Sequence, residues 1–386
     1  MRVSIVTETY PPEINGVALT VHGLAHGLAA RGHAVQLVRP RRAADTGGEA
    51  GIAALTVRGM ALPRYPGLRF GLPAGARLRR SWREARPDAV YVATEGPLGW
   101  SALDAADRLG IPACTGFHTR FDDYAAHYGL GFLTPLVLAH LRRFHRRAAA
   151  TLVPTRALAD ELAARGIDNV RLLRRAVDAE LFHPRRRDGA LRAAWGARDD
   201  GLVVLYVGRI APEKNLDLAV RAFRALQARV PDARYVWVGD GPGRDALAAA
   251  NPDFVFAGAR RGEDLARHYA SADLFLFPSL SETFGNVTLE AMASGLAVVA
   301  YDHGAAREHL ADGISGMRVP AGDAAGFIAA AFALGVDAVL RDLLRRNARS
   351  AVAALSPEAV IVEFESLLSR LAQERRHDRP VVAARV

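Results

Sequence analysis

Two glutamates stand eight positions apart in the run Ser281-Glu282-Thr283-Phe284-Gly285-Asn286-Val287-Thr288-Leu289-Glu290-Ala291-Met292-Ala293-Ser294-Gly295. The apolar run 274–277 just ahead reads as a strand, so Glu282 falls in the loop leaving it. Glu290 then lies about one turn into the following helix, given about 3.6 residues per turn. Paired carboxylates accept hydrogen bonds from hydroxyl groups of a ligand. The first N–H groups of the same helix, around Phe284, Gly285, Asn286 and Val287, lack partners within it and present partial positive charge to an anion. Acceptors for sugar or ribose hydroxyls thus stand beside donors for a phosphate.

A second constellation is cationic. The 50 lysines and arginines include a single lysine, Lys214, in Val207-Gly208-Arg209-Ile210-Ala211-Pro212-Glu213-Lys214-Asn215. A compact ammonium sits among phosphate oxygens where a planar guanidinium fork does not fit.

The elements that must carry these loops are short apolar runs alternating with longer amphipathic segments, the rhythm of parallel sheets covered by helices. The strands expected in the first half are 2–7, 34–38, 89–93, 112–116 and 151–154, with helices at 17–30, 99–109 and 134–149. A second series has strands at 202–207, 235–238, 254–256, 274–277 and 297–301, with helices at 215–230, 263–270 and 286–293. The polar stretch 183–189, broken by proline and glycine, reads as a linker. The expected organisation is α/β: a domain at 1–183, a second at 190–355, a helix at 356–375 packing back on the first, and a flexible tail at 376–386. Two doubly wound domains are expected to leave a cleft between them.

The net charge of +9 fits attraction to the phosphates of nucleic acid, anionic lipid or a nucleotide sugar, and charge alone does not choose among them. Cys114 is the only cysteine, so no intrachain disulfide forms, which fits a reducing compartment. Met1-Arg2 runs directly into the apolar 3–6, leaving no room for a signal peptide, and no apolar run approaches the ~20 residues a bilayer requires. A cytoplasmic protein is expected, with peripheral contact at the inner membrane face left open.

The two glutamates around Phe284-Gly285, followed by Leu289-Glu290-Ala291-Met292-Ala293, resemble the signature of family 4 glycosyltransferases. The 207–215 loop resembles the one in which that family's arginine and lysine, here Arg209 and Lys214, hold the donor diphosphate. Tyr10-Pro11-Pro12-Glu13-Ile14-Asn15-Gly16-Val17 looks like the family's first loop, where Gly16 lets backbone approach the donor phosphates, and Arg31-Gly32-His33 matches its usual helix ending. Gly116-Phe117-His118-Thr119-Arg120-Phe121-Asp122-Asp123-Tyr124 resembles a segment whose histidine, His118, lies near the donor sugar. Val238-Gly239-Asp240-Gly241-Pro242-Gly243 and Asp302-His303-Gly304-Ala305-Ala306-Arg307-Glu308 also fit. By resemblance, Glu308 belongs near the donor and the turn Gly258-Ala259-Arg260 near the nucleotide base. Arg174-Arg175-Ala176-Val177-Asp178 departs from the pattern, since a glycine before Val-Asp is commoner.

The resemblance implies a GT-B fold, a metal-free site, retention of anomeric configuration, and a nucleotide-diphosphate sugar as donor. His118, Glu282, Arg209 and Lys214 are the implied catalytic residues. The absence of any Asp-x-Asp triplet agrees with a site that clamps no metal. GDP-mannose is the first donor expected and UDP-sugars the second. The acceptor expected is a hydroxyl compound, a membrane lipid if arginine-rich stretches such as Arg77-Leu78-Arg79-Arg80 and Arg142-Arg143-Phe144-His145-Arg146-Arg147 face anionic head groups, with a soluble or polysaccharide acceptor as the alternative.

Three alternatives stand beside this reading. A nicotinamide dehydrogenase is disfavoured because Gly239-x-Gly241-x-Gly243 lacks the Gly-x-Gly-x-x-Gly spacing after a first strand. An epimerase of nucleotide sugars shares the two-domain build, and donor turnover without acceptor separates it. A nucleic-acid-binding protein is favoured by charge alone, and an aromatic content of 7% without basic-aromatic platforms weighs against it.

Overall fold

The computed structural model describes all residues except 14, 43–48, 50, 62–68, 119–133, 281 and 378–386. The chain forms two compact units, one of Met1–Arg174 with the C-terminal residues from Glu358 on, the other Arg175–Pro357.

In the first unit the strands are β1 (Arg2–Val6), β2 (Ala34–Pro40), β3 (Ile52–Val57), β4 (Gly59–Ala61), β5 (Arg69–Gly71), β6 (Ala89–Val92), β7 (Ala113–Gly116), β8 (Ala150–Val153) and β9 (Val170–Leu172). Seven of them make a parallel sheet in the order β3-β2-β1-β6-β7-β8-β9, and β4 and β5 pair antiparallel on their own. The second unit holds β10 (Val203–Val207), β11 (Arg234–Val238), β12 (Val255–Gly258), β13 (Leu274–Phe277), β14 (Ala297–Tyr301) and β15 (Met317–Val319). These form one parallel sheet in the order β12-β11-β10-β13-β14-β15.

Parallel strands are covered on both faces and so are apolar at nearly every position; every residue of β10, β13 and β14 is buried. The helix Leu216–Gln227 buries Leu218, Ala219, Ala222, Phe223 and Leu226, a stripe at helical spacing that faces its sheet. In each unit the strand order reverses beside the first strand, between β1 and β6 and between β10 and β13. In open sheets of this kind, ligands bind outside the carboxyl ends of the strands at that reversal.

The helix Pro357–His377 belongs to the first unit, because Ile361, Phe364, Leu367, Leu368 and Leu371 join Val3, Ile5 and Tyr91 in one core. Phe364 packs edge-on against Tyr91 at 5.1 Å, and Arg31 bonds both Glu358 and Glu365 at 2.6 Å. The tail read at 376–386 lies outside the described residues from 378 onward.

The boundary between units differs from the one read in the sequence. The break falls at Arg174 and Arg175, and 183–189 is fastened into the second unit rather than spacing the two. Val177 and Phe182 are buried in the second core. Arg187 and Arg192 hold the buried Asp273 at 3.0 and 3.2 Å, and Asp188 caps the helix Gly189–Ala194 while pairing with Arg267. The charges that look like a solvated spacer are paired within the unit, Arg185 with Glu180 and Arg186 with Glu263 besides the contacts to Asp273 and the helix end.

Cys114 is buried on β7, where burial pushes its thiol up to about 12, leaving it inert at neutral pH. Among the described residues, no helix is long and apolar enough to cross a membrane.

Candidate active site

Three loops of the second unit meet beyond the carboxyl ends of β10, β13 and β14. After β10 the chain makes the short turn Pro212–Lys214 and reaches Asn215, which adopts the left-handed conformation at φ 54° before the helix begins. Asparagine tolerates that region better than most residues, and the Asn215 amide donates to the Pro278 carbonyl at 3.3 Å, tying the β10 loop to the β13 loop. Lys214 thereby reaches Glu282, its Nζ 2.5 Å from Oε1. The Ser279 hydroxyl donates to the same oxygen at 2.9 Å, and His303, after β14, contacts the Ser279 carbonyl at 2.5 Å. Lys214 and Glu282 keep only 12% and 16% of their side-chain surface, so the pair is largely desolvated and each holds the other's charge.

Arg209 stands over the same loop with its Nη1 3.5 Å from Glu213, which is buried. The Tyr206 hydroxyl donates to the Arg209 carbonyl at 3.0 Å. The loop after β11 lies directly against this one: Ile210 N–H donates to the Asp240 carbonyl at 2.9 Å, and a Cβ on Gly239 would sit 1.9 Å from the Gly208 oxygen. Gly239-x-Gly241-x-Gly243 therefore serves close backbone packing beneath Arg209, which is why its spacing differs from a dinucleotide fingerprint.

The helix Asn286–Ala293 starts at Gly285, whose φ of 88° suits glycine, and no side chain caps it. Its leading amides are of the kind that receive anions. Phe284 is buried, and its carbonyl accepts from Ala305 N–H at 2.6 Å, fixing the approach to the helix. Glu290 accepts from the Tyr269 hydroxyl at 2.9 Å. Burial raises its carboxyl from the ordinary range to about 7, against the opposing pull of the Tyr269 hydrogen bond. Lys214 and Glu282 are brought into contact, whereas Glu290 is partnered separately by a tyrosine from the helix Gly262–Ala270.

Gly258 ends the edge strand β12, and Ala259 and Arg260 follow it. The Gly258 carbonyl accepts from Gly239 N–H at 2.9 Å, and Arg260 folds back on its own turn, to the Ala257 carbonyl at 2.8 Å and Asp264 at 3.1 Å. Glu308 is exposed on the helix Gly304–His309 and has no hydrogen bond to the other candidates among the described residues.

In the first unit, Gly16 opens the helix Gly16–Ala30, capped by Asn15, whose side chain accepts from Ala18 N–H at 2.8 Å. Arg42 braces the preceding loop through the Pro11 carbonyl at 2.6 Å and Glu13 at 2.7 Å. His118 follows β7, and its Nε2 lies 2.6 Å from the Tyr91 hydroxyl on β6. The rest of its motif, Thr119 to Tyr124, lies outside the described residues, as do Ile14 and Ser281.

Glu8 and Glu95 were not apparent from the sequence, yet both stand beyond the strand ends at the reversal between β1 and β6. Glu8 accepts from Leu98 N–H at 3.0 Å at the start of the helix Pro97–Arg108. Burial lifts its carboxyl to about 7, the Leu98 bond opposes the rise and neighbouring Glu95 adds to it. Glu95 faces the buried His145 at 3.4 Å. Their one sequence signal is position: each follows a strand run within a few residues. A carboxyl shifted as far as that of Glu8, at a sheet reversal, marks functional ground.

Comparison with known proteins identifies the family. Residues 14–181 match the family described as "Glycosyltransferase Family 4", and 201–337 match "Glycosyl transferases group 1". A "GDP-mannose-dependent alpha-mannosyltransferase" of Mycobacterium tuberculosis is 36% identical over 330 residues, 84% of this chain and 85% of its own. An "Alpha-monoglucosyldiacylglycerol synthase" of Acholeplasma laidlawii is 29% identical, over 78% of this chain and 80% of its own. Among solved structures, sucrose-phosphate synthase from Thermosynechococcus elongatus shares the fold with a TM-score of 0.77 at 18% identity, covering 97% of this chain and 99% of that one. With two doubly wound α/β units of the GT-B type and a relative 36% identical over most of both chains, the chain belongs to the family 4 glycosyltransferases.

Proposed function

We propose that this glycosyltransferase takes mannose from GDP-mannose and transfers it, with retention at the anomeric carbon and without a metal ion, to a hydroxyl of a lipid acceptor. The donor follows from the mycobacterial relative, which is matched over most of both chains and is described by that donor. The observation that carries the chemistry is the desolvated Lys214–Glu282 pair at the sheet reversal.

Lys214, Arg209 and the start of the helix Asn286–Ala293 receive the diphosphate, and Gly16 is assigned to donor phosphates by likeness to the family alone. As the anomeric C–O bond breaks, its electron pair moves to the departing diphosphate, and these positioned charges stabilise it where it forms. The acceptor oxygen bonds to the anomeric carbon on the same face, and its proton passes to the departing phosphate oxygen. Glu282 accepts from sugar hydroxyls and Glu290 from ribose hydroxyls. His118, steadied by Tyr91, donates to the sugar. By likeness to the family, Gly258, Ala259 and Arg260 border the base and Glu308 approaches the donor.

The lipid acceptor follows the Acholeplasma relative, named as a synthase of a glucosylated diacylglycerol. Arg77 and Arg80, with Arg142, Arg143, Arg146 and Arg147, are exposed on the first unit and offer charge to anionic head groups at the inner membrane face.

Thermal stabilisation by GDP-mannose and UDP-glucose, measured in EDTA, tests the donor, because a ligand bound to the native state alone raises apparent stability. GDP-mannose is expected to stabilise the protein, and GDP release is expected only when a lipid acceptor is added. Stabilisation by UDP-glucose alone would reverse the donor assignment, and sugar interconversion without acceptor would make the protein an epimerase.

A further inference from the structure

The helix Gly16–Ala30 carries His22 and His26 four positions apart, hence on one face and about one turn apart. Their rings lie 4.2 Å apart between centroids. Glu49, which leads into β3, comes back over the same face, and its Oε2 lies 2.6 Å from His26 Nε2. We propose that His22, His26 and Glu49 form a binding site on the first unit for a divalent transition-metal ion of the zinc class. It does not depend on the donor chemistry of the second unit.

Geometry supports this. Each residue offers one ligand atom, and the three atoms all lie within 4.8 Å of one another, the one such group among the described residues. Zinc to nitrogen distances of about 2.0 Å place tetrahedral ligand atoms about 3.3 Å apart. The widest pair therefore closes by at most about 1.5 Å, within rotamer adjustment of side chains that keep solvent contact. Two imidazoles and one carboxylate are a borderline-soft set that suits zinc, cobalt or nickel over calcium or magnesium, and three protein ligands leave one position for water.

The surroundings also fit. The Tyr10 hydroxyl donates to Glu49 Oε2 at 2.7 Å, and Tyr10 is fully buried, so it holds the carboxylate toward the imidazoles as outer partners of metal ligands do. An ordinary ion pair accounts for His26 and Glu49 but gives His22 no part. The His22 ring lies against those of Tyr10 and His26, and no described residue hydrogen-bonds its nitrogens. Shared metal ligation explains why a second imidazole is held there. A bound ion would tie the approach to β3 to this helix, and through Tyr10 to the loop that ends at Gly16.

Cobalt titrated into the full chain, stripped with EDTA and freed of it, tests the assignment. The expected result is one equivalent bound with visible d–d absorption of a low-coordinate ion. Affinity should fall by at least about a hundredfold in His22→Gln and in His26→Gln, since losing even an outer partner costs about 10–100-fold. Melting of both variants in EDTA at the wild-type temperature would show that a ligand, not the fold, was lost. Should a variant melt early, zinc-induced stabilisation of wild type but not of Glu49→Gln reads the same site through its third ligand. No d–d band in the wild type, wild-type affinity in His22→Gln, or equal zinc stabilisation in Glu49→Gln overturns the proposal.

Discussion

Replacing Glu290 by glutamine separates the cost of burying that carboxylate from its use in binding the donor. The folded carboxyl is raised from 4.5 to about 7, mainly by burial. At 1.36 kcal/mol per unit this is about 3 kcal/mol, an upper bound because the side chain keeps partial solvent contact. Between pH 4.5 and 7 the folded state holds a proton that the unfolded state has released, so the stabilising share of Glu290 is complete below pH 4.5 and is lost as pH rises through 7. Glutamine has no proton to lose and can still accept from Tyr269. Glu290→Gln should therefore match the wild type near pH 4.5 and exceed it by up to about 3 kcal/mol at pH 8. Hydrogen exchange of the β10 and β13 amides reads the second unit alone, and Glu8, also raised to about 7, cancels because both proteins carry it. GDP-mannose should show the opposite trend. Its diphosphate diester stays ionised across the range, and only the ionised Glu290 accepts well from ribose. Wild-type affinity should then fall by up to about tenfold per unit below pH 7, and the variant should bind weakly with no such slope. A stability difference of the same size at pH 4.5 and pH 8 would refute the reasoning.

Lys214→Ala should abolish stabilisation by GDP-mannose while leaving Glu282 without its cation, and Lys214→Arg should restore little, since a planar fork does not replace a point charge. Gly239→Ala places a Cβ 1.9 Å from the Gly208 oxygen, so the loop bearing Arg209 must shift; transfer activity should fall by at least about tenfold in a protein that still folds, measured by GDP release. Phe364→Ala should destabilise the first unit by about 3–5 kcal/mol in urea melts followed by exchange of the β1 amides, with donor stabilisation of the second unit retained.

Which parts of this were legible in the sequence follows from where each kind of information resides. Central strands such as β10 and β13 were readable because both faces are covered and every position is apolar. The edge strand β3 was missed because Ala53 and Ala54 are exposed and break the run, and β9 and β15, at three residues each, are too short to show a period. The stretch 183–189 reads as a linker because composition reports charge but not its partner: Arg187 and Arg192 answer Asp273, which lies 86 and 81 positions away. The site divides in the same manner. Lys214 stood out as the only lysine and Glu282 by its motif, but their contact joins residues 68 positions apart and exists only because β10 and β13 are neighbours. The Tyr269 hydroxyl on Glu290 and the Leu98 amide on Glu8 likewise come from other elements. Residue types set what chemistry is available, whereas the sheet order decides which charge is neutralised. A substitution that left every motif intact but loosened the pairing of β10 with β13 should therefore weaken donor binding as Lys214→Ala does.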